Sequence, residues 1–460
     1  MRVAIVGGGI SGLSAAFTLE ERRQGTNLNL EYVLFESSAR LGGVLRTEQV
    51  DGCVVEAGPD SFLTEKPWAS ELCQSLGIGD ELIGSNDAGR KTYILCDGRL
   101  VEIPDGLMFM VPTKILPAVF SPLFSWRTKL RMARDLFRPP AAATSDESVA
   151  SLVARHYGEE MVDRLADPLL SGIYGGSAAD LSVRAVLPRF AEMERSHGSL
   201  SRAISKARKK VPLPPGQRPL FTSLKNGMEQ LPQAIVARLP SSSLRTSTAV
   251  QTIHPDSGGW VISSGTKKEK FDAVILAVPT HTAAALVHDC APQLSDELSA
   301  IRYTSSIVVV LGYDANVRRT LPPGFGFLVP RSEGRRMLAA TFVHNKFPHR
   351  APDDRALLRC FFAGANADAI GQQSDMEITN VVREELRQIL GLRAVPLFTR
   401  VYKWKSAMAQ YGVGHLDRLD RIEQLCRKLP GIALAGNGYR GIGIPDCVRS
   451  GMDAANRVLS

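Results

Sequence analysis

The chain has 460 residues, enough for about two or three domains each with its own core, and at 44% hydrophobic and 22% charged it has the composition of an ordinary globular protein. A net charge of +8 is moderate, and without a recognition motif or interleaved aromatics it argues against a nucleic-acid binder. Seven cysteines with no C-x-x-C spacing argue against a zinc module or a disulfide scaffold and read as reduced thiols.

Met1 leads straight into the buried strand Val3–Val6, so no secretory leader is expected. The glycines of VGGGISG follow as a tight turn, and Ile10–Arg22 has the pattern of an amphipathic helix. Strand, G-x-G-x-x-G and helix together predict a dinucleotide site. Gly7 makes the turn, Gly9 lets a pyrophosphate approach, and Gly12 lets helix and strand pack closely. The pyrophosphate would meet the N–H groups that open the helix. Glu36 ends the apolar run EYVLFE, placed to accept from a ribose 2′-hydroxyl, and FAD is the expected ligand.

Farther along, VPTKILPAVFSPLFSW is interrupted by Lys114 and three prolines, which excludes a membrane span but leaves an apolar mouth or membrane contact open. ESVASLVARHYG and EEMVDRLADPLLSGIYGG are helical in pattern. The densest basic stretch, Arg195–Arg218 with Arg202, Lys206, Arg208, Lys209 and Lys210, reads first as a solvated face, with attraction to anionic lipid or an acidic ligand as the alternative. VPLPPGQRP is a semi-rigid connector.

STAVQTI and WVISS suggest paired strands before the buried strand FDAVILAVP. SSIVVVLGY and LLRCFFAG add strands, and Ser374 with Glu377 forms a capping box for a helix whose apolar stripe is Ile378, Val381, Val382, Leu386 and Ile389, stopped by Gly391. IALAG is a last strand, NGYRGIGIP a glycine-rich turn, and Asp446–Leu459 a helix with Val448, Met452, Ala455 and Leu459 inward. Beginning, middle and end thus return to one domain, which implies insertions between them.

Blocks along the whole chain carry a family resemblance. GGGISGLSAA and FESSARLGGVLRT are general; EAGPDSFLTEKP, VPTKI, LADPLLSGIYGG, GFGFLVP, FVHNKFPHRAP, AMAQYGVGHLDRL and GNGYRGIGIPDCVRSG are more specific. The chain resembles the bacterial FAD-dependent porphyrinogen oxidases of haem biosynthesis, which act on coproporphyrinogen III or protoporphyrinogen IX. The resemblance implies an α/β fold: a Rossmann-like FAD domain of the amine-oxidase type from residues 1–103, 219–282 and 403–460. It further implies a helical insertion at 104–218 for substrate access and membrane contact, and a mixed-sheet substrate domain at 283–402.

By the same resemblance FAD lies on Gly7, Gly9, Ile10, Ser11, Gly12, Glu36, Ser37, Arg40, Gly42 and Gly43, on Gly58, Pro59, Asp60 and Ser61, on Val250 beside the adenine, on Trp404, and on Ile442, Gly443 and Ile444 at the isoalloxazine end. Taken singly, Ser61, Val250 and Trp404 read first as plain structure. The implied reaction is a six-electron oxidation of a porphyrinogen by oxygen with hydrogen peroxide as by-product, the cofactor carrying the chemistry. No metal and no firm catalytic base are implied. A flat apolar macrocycle edged with carboxylates calls for an apolar slot with a few cations. Ile173, Tyr174, Gly175, Leu328 and Phe342 are slot candidates, and Lys66 and Lys346, then Arg90 and Arg350, the cations; His344 reads first as structural and second as a proton acceptor.

Many protoporphyrinogen oxidases carry an arginine where Thr92 stands here, and this tilts the expected substrate to coproporphyrinogen III. Protoporphyrinogen IX is the alternative. A flavin amine oxidase, a carotenoid-type desaturase, a non-enzymatic escort protein and a porphyrin carrier stay open as rivals. Expected partners are the porphyrinogen, oxygen and a chelatase of the haem pathway that receives the product, in the cytoplasm at or near the inner membrane face.

Overall fold

A computed structural model describes residues 1–25, 29–108, 110–112, 115–140, 145–210 and 219–460. Lys114, the connector at 211–218 and the side chains of Arg208, Lys209 and Lys210 lie outside that description.

Arg2–Val6 pairs in parallel with Glu31–Phe35 on one side and Ala273–Leu276 on the other, and Leu244–Arg245 and Ile432–Leu434 complete a five-stranded parallel sheet. Strand side chains alternate in direction. Val3 and Ile5 therefore enter one core, with the helices Ile10–Gly25 and Ile444–Leu459, while Ala4 and Val6 enter another, with Trp260, Leu294 and Ile422. Burial on both faces is why these strands read as unbroken apolar runs.

The two long helices touch backbone to backbone: a Cβ on Gly451 would lie 2.0 Å from the Ser11 carbonyl oxygen. That approach turns the last helix slightly from the expected stripe. Val448, Gly451, Ala454, Ala455 and Val458 are buried, whereas Met452 and Leu459 are half-buried. WVISS lies in the strand Gly259–Ser264 as expected, but its partner is Thr252–Asp256, which keeps only the last two residues of STAVQTI, and Lys267–Phe271 joins them.

A second sheet of seven strands runs in the order Phe398–Ala409, Tyr303–Asp314, Arg355–Ala363, Ala339–Phe342, Gly326–Leu328, Thr92–Cys96, Arg99–Glu102. Only the Gly326–Leu328 and Thr92–Cys96 pair is parallel, so the sheet is mixed. It draws strands from 92–102 and 403–409, and so crosses the division expected at 103 and 403. One face packs on the helix Asp375–Leu390, whose Ser374–Glu377 capping box and Gly391 stop are present. The other face meets the hairpin Thr47–Glu56 and a helical region.

In that region the helices from Trp126 to Lys210 surround a core that includes Leu152, Leu165 and Leu170. Inside it His156 lies 2.6 Å from Asp135 and 2.9 Å from Glu194. Arg202 donates to the carbonyls of Leu136, Arg138 and His197, so this member of the basic stretch is a structural brace.

Candidate active site

The turn between the first strand and helix is dictated by its glycines. Gly7 has φ +109°, and a Cβ there would lie 2.4 Å from the Ala277 oxygen; one on Gly12 would lie 1.9 Å from the Gly7 oxygen. A Cβ on Gly9, by contrast, meets no atom within 4 Å. Open backbone at the mouth of a helix whose first N–H groups lack intrahelical acceptors is what a pyrophosphate requires.

Gly42 donates to the Gly8 oxygen at 2.8 Å, and Gly43 lies against Gly9, so the second glycine turn walls the first. Arg40 braces that wall: it donates to the carbonyls of Leu41, Gly43 and Leu45 and pairs with Glu229 at 3.3 Å. Ile10, Ser11 and Gly12 form the buried first turn.

Glu36 follows the second strand and accepts from the Gly8 amide at 2.7 Å, the Ser38 amide at 2.8 Å and the Ser37 hydroxyl at 3.3 Å. The amide of Thr248 donates to the Glu36 carbonyl, which brings half-buried Val250 to this end of the site although it is far off in sequence.

The segment from Glu56 to Ser61 runs alongside. A Cβ on Gly58 would lie 2.0 Å from the Val44 oxygen, and the indole of Trp404 donates to the Ala57 carbonyl at 2.8 Å. Pro59 is exposed. Asp60 pairs with Lys346 at 3.1 Å and Arg359 at 3.1 Å and accepts from Ser61 at 2.7 Å. Burial pushes its carboxyl up, but Lys346 and Arg359 outweigh that and hold it well below the usual carboxylate range.

At the opposite end, Ile442 and Gly443 are half-buried, Ile444 is buried, and no side chain caps the helix that Ile444 opens. Asp446, in that helix's first turn, accepts two hydrogen bonds from Lys66 at 2.6 and 2.8 Å. The expected substrate cation Lys66 is thus engaged with a carboxylate beside the helix mouth.

The GIYGG segment arrives at the same place. Gly175 ends the helix Asp167–Tyr174 with φ +68°, and the Tyr174 and Tyr411 rings stand 5.9 Å apart. Tyr411 accepts from the Gly441 amide at 2.8 Å, which joins the helix Asp167–Tyr174 to the glycine-rich turn 436–443. Burial, reinforced by Asp446, raises the Tyr174 hydroxyl well above its ordinary value. Ile173 is 43% exposed, and half-buried Leu328 faces the same helix across Gly172.

Phe342 does not join them. It is fully buried beside Phe327 on the sheet face that packs on the helix Asp375–Leu390, opposite to Leu328, because the register that pairs Phe327 with Ala340 puts Phe342 on their side. Lys346 and Arg350 are buried and ion-paired, whereas Arg90 is exposed outside the cluster. His344 is buried with Nδ1 3.1 Å from the Leu357 amide, and burial lowers it to about 4, which keeps it neutral and structural.

Arg359, Asp446 and Tyr411 are the residues that sequence reasoning missed. AMAQYG and GIGIPDC were visible as blocks, but no local signal said that Tyr411 and Asp446 meet GIYGG and Lys66. Among the described residues no group of histidine, cysteine, aspartate or glutamate is arranged to hold a metal.

The open glycine backbone at Gly9, the carboxylate at the end of the second strand and the walled turn at Gly42–Gly43 fit a dinucleotide. Comparison with known proteins agrees. Residues 10–459 match the family described as flavin containing amine oxidoreductase. A Bacillus subtilis protein named coproporphyrinogen III oxidase is 34% identical, covering 100% of this chain and 98% of its own. A Mycobacterium tuberculosis protein of the same name is 33% identical, with 99% and 96% covered. The crystal structure of a candidate protoporphyrinogen oxidase from Exiguobacterium superposes with a TM-score of 0.88 at 30% identity, covering 99% of this chain and 98% of that one. The cofactor is FAD, and the chain belongs to the flavin containing amine oxidoreductases, alongside relatives named coproporphyrinogen III oxidase.

Proposed function

We propose that the chain is an FAD-dependent porphyrinogen oxidase of haem biosynthesis that converts coproporphyrinogen III to coproporphyrin III, with oxygen as acceptor and hydrogen peroxide as by-product. The observation that carries this reading is full-length similarity to relatives of that name, spread over both sheets and the helical region. An amine-oxidase reading rests on the broad family and on a fold shared with solved amine oxidases only 18% and 19% identical.

Bound FAD supplies the redox chemistry. The protein's part is to hold and orient. In this reading the first-turn amides of Ile10, Ser11 and Gly12 receive the pyrophosphate, Glu36 the ribose, Val250 the adenine side, and Gly58–Ser61, Trp404 and Ile442–Ile444 the far end. Ile173, Tyr174, Gly175 and Leu328 supply apolar surface for the macrocycle, and Lys66, its charge balanced by Asp446, a polar donor at the rim. Tyr174 is kept protonated by burial, so it serves as a donor and not as a base. The domain division stays as 1–103 with 219–282 and 403–460 for FAD, 104–218 for access and 283–402 for substrate, with the seven-stranded sheet shared across its boundaries.

No helix among the described residues is long and apolar enough to cross a membrane. Phe120, Trp126, Leu130 and Phe137 are 81%, 75%, 54% and 83% exposed, beside exposed Arg127, Arg131 and Arg134. Aromatic and aliphatic tips among cations suit the surface of an anionic bilayer, and a cytoplasmic enzyme docked there would receive a poorly soluble substrate and pass its product to a chelatase.

The direct test is aerobic turnover on coproporphyrinogen III and protoporphyrinogen IX in parallel, followed by porphyrin fluorescence above the spontaneous rate, with peroxide measured. A higher kcat/KM on coproporphyrinogen is expected. A preference for protoporphyrinogen overturns the substrate, and inactivity on both by the FAD-loaded protein overturns the function. Cosedimentation with phosphatidylserine vesicles, lost in Trp126→Ser with Phe137→Ser, tests the docking face.

A further inference from the structure

Against Gly58–Ser61 lies a group of buried charges of which the binding roles above use only Asp60. Lys346, Arg350 and Arg359 face Asp60 and Glu56, and none of the five side chains is more than 14% exposed. Three cations against two carboxylates leave one positive charge unbalanced. The neighbouring pairs, Arg40 with Glu229 and Lys66 with Asp446, each balance within themselves. An unbalanced buried charge is unfavourable unless opposite charge comes to face it.

Most of the cluster's donors are already engaged; the Nε atoms of Arg350 and Arg359 are buried without a hydrogen-bond partner among the described residues. The Lys346 ammonium contacts both Asp60 oxygens and the Ser61 hydroxyl, between the rings of Phe221 and Phe347. Arg359 holds the Asp60 carboxylate and the Gly58 carbonyl, and Arg350 holds Glu56, the Ser223 hydroxyl and the Leu224 carbonyl. The cluster therefore acts through its field and through the loop it clamps.

We propose that this excess positive charge raises the two-electron reduction potential of the FAD, with Lys346 and Arg359 as positioning residues that act through Asp60 and Gly58. The proposal rests on the reading that FAD lies along Gly58–Ser61. The charge near a flavin ring is one of the levers by which a protein tunes it, and a buried charge acts with little screening by salt.

The test is dye-equilibrated reductive titration of the FAD-loaded protein and of variants that move the charge in opposite directions. Lys346→Met removes the excess and lowers the reduction constant about tenfold, which is about 30 mV for a two-electron couple. Asp60→Asn, nearly isosteric, adds to the excess and raises the constant by a similar factor, while Lys346→Arg leaves it close to the parent. Opposite shifts that persist at high salt support the proposal, because a merely loosened loop moves both variants the same way. Unchanged potentials, shifts of one sign, or a rise in substrate KM at constant potential overturn it, and Asp60→Asn alone decides the sign should Lys346→Met not fold. Loss of flavin in Gly9→Val tests the pyrophosphate end of the placement separately: where that loss is seen and neither charge variant shifts the potential, only the charge proposal is lost.

Discussion

The two ends of the proposed FAD site are built from different materials. At the first glycine turn the site is backbone: Gly7, Gly9 and Gly12 act by what they lack, and their spacing is complete within six residues. Along Glu56–Ser61 the site is side chain, pinned by Arg350, Arg359, Lys346 and Trp404 from nearly 300 residues away or more. The first material gives a surface that a phosphate can approach; the second gives a fixed electrostatic environment. Substitutions at the two ends should therefore fail differently.

The largest effect is expected at the seam where Glu56–Ser61 meets Arg350, Arg359 and Lys346. Arg350→Met leaves Glu56 buried without its partner, and loss of a buried pair of this kind costs about 3–5 kcal/mol. Denaturant unfolding should report that loss together with reduced flavin content, and unchanged stability would dismiss the seam as a structural tie.

Next comes the contrast within the glycine turn. Gly12→Ala forces a Cβ onto the Gly7 oxygen and should destabilise the fold by about 1–3 kcal/mol. Gly9→Val meets open space, so the apo-protein should unfold like the parent apo-protein while flavin absorbance disappears. Should Gly9→Val destabilise as Gly12→Ala does, the open cradle has been misread.

A pH effect of intermediate size tests the buried histidine near the seam. His344 lies at about 4 in the folded chain against about 6.5 when unfolded, so the unfolded chain binds its proton first. Its contribution is complete above about pH 6.5 and is lost as the pH falls toward 4. Melting temperatures measured from pH 7 to 5 should fall less steeply for His344→Gln, which keeps an acceptor for the Leu357 amide; an equal slope rules out this residue as a source.

The smallest expected effect lies far from either end. Ser374→Ala removes the capping box of the helix Asp375–Leu390 and should cost about 1 kcal/mol with flavin content unchanged. A change in flavin spectrum there would mean that the helix is coupled to the site through the sheet.

Local chemistry was readable in the chain alone. The first strand, turn and helix, the carboxylate at Glu36 and the capping box at Ser374 are each specified by residues within a few turns of one another, so periodicity and motif spacing find them. The return of the middle and C-terminal segments to one sheet was readable from their apolar strands. Partners across the fold were not. Lys66 looks like a surface cation until Asp446 folds against it, Lys346 and Arg350 look like rim charges until they are buried against Asp60 and Glu56, and Phe342 looks like a slot residue until strand register sends it to the other face. A charge carries no mark in sequence of which opposite charge will neutralise it, and a strand residue carries none of which face its register will select; those choices are made only when distant segments pack.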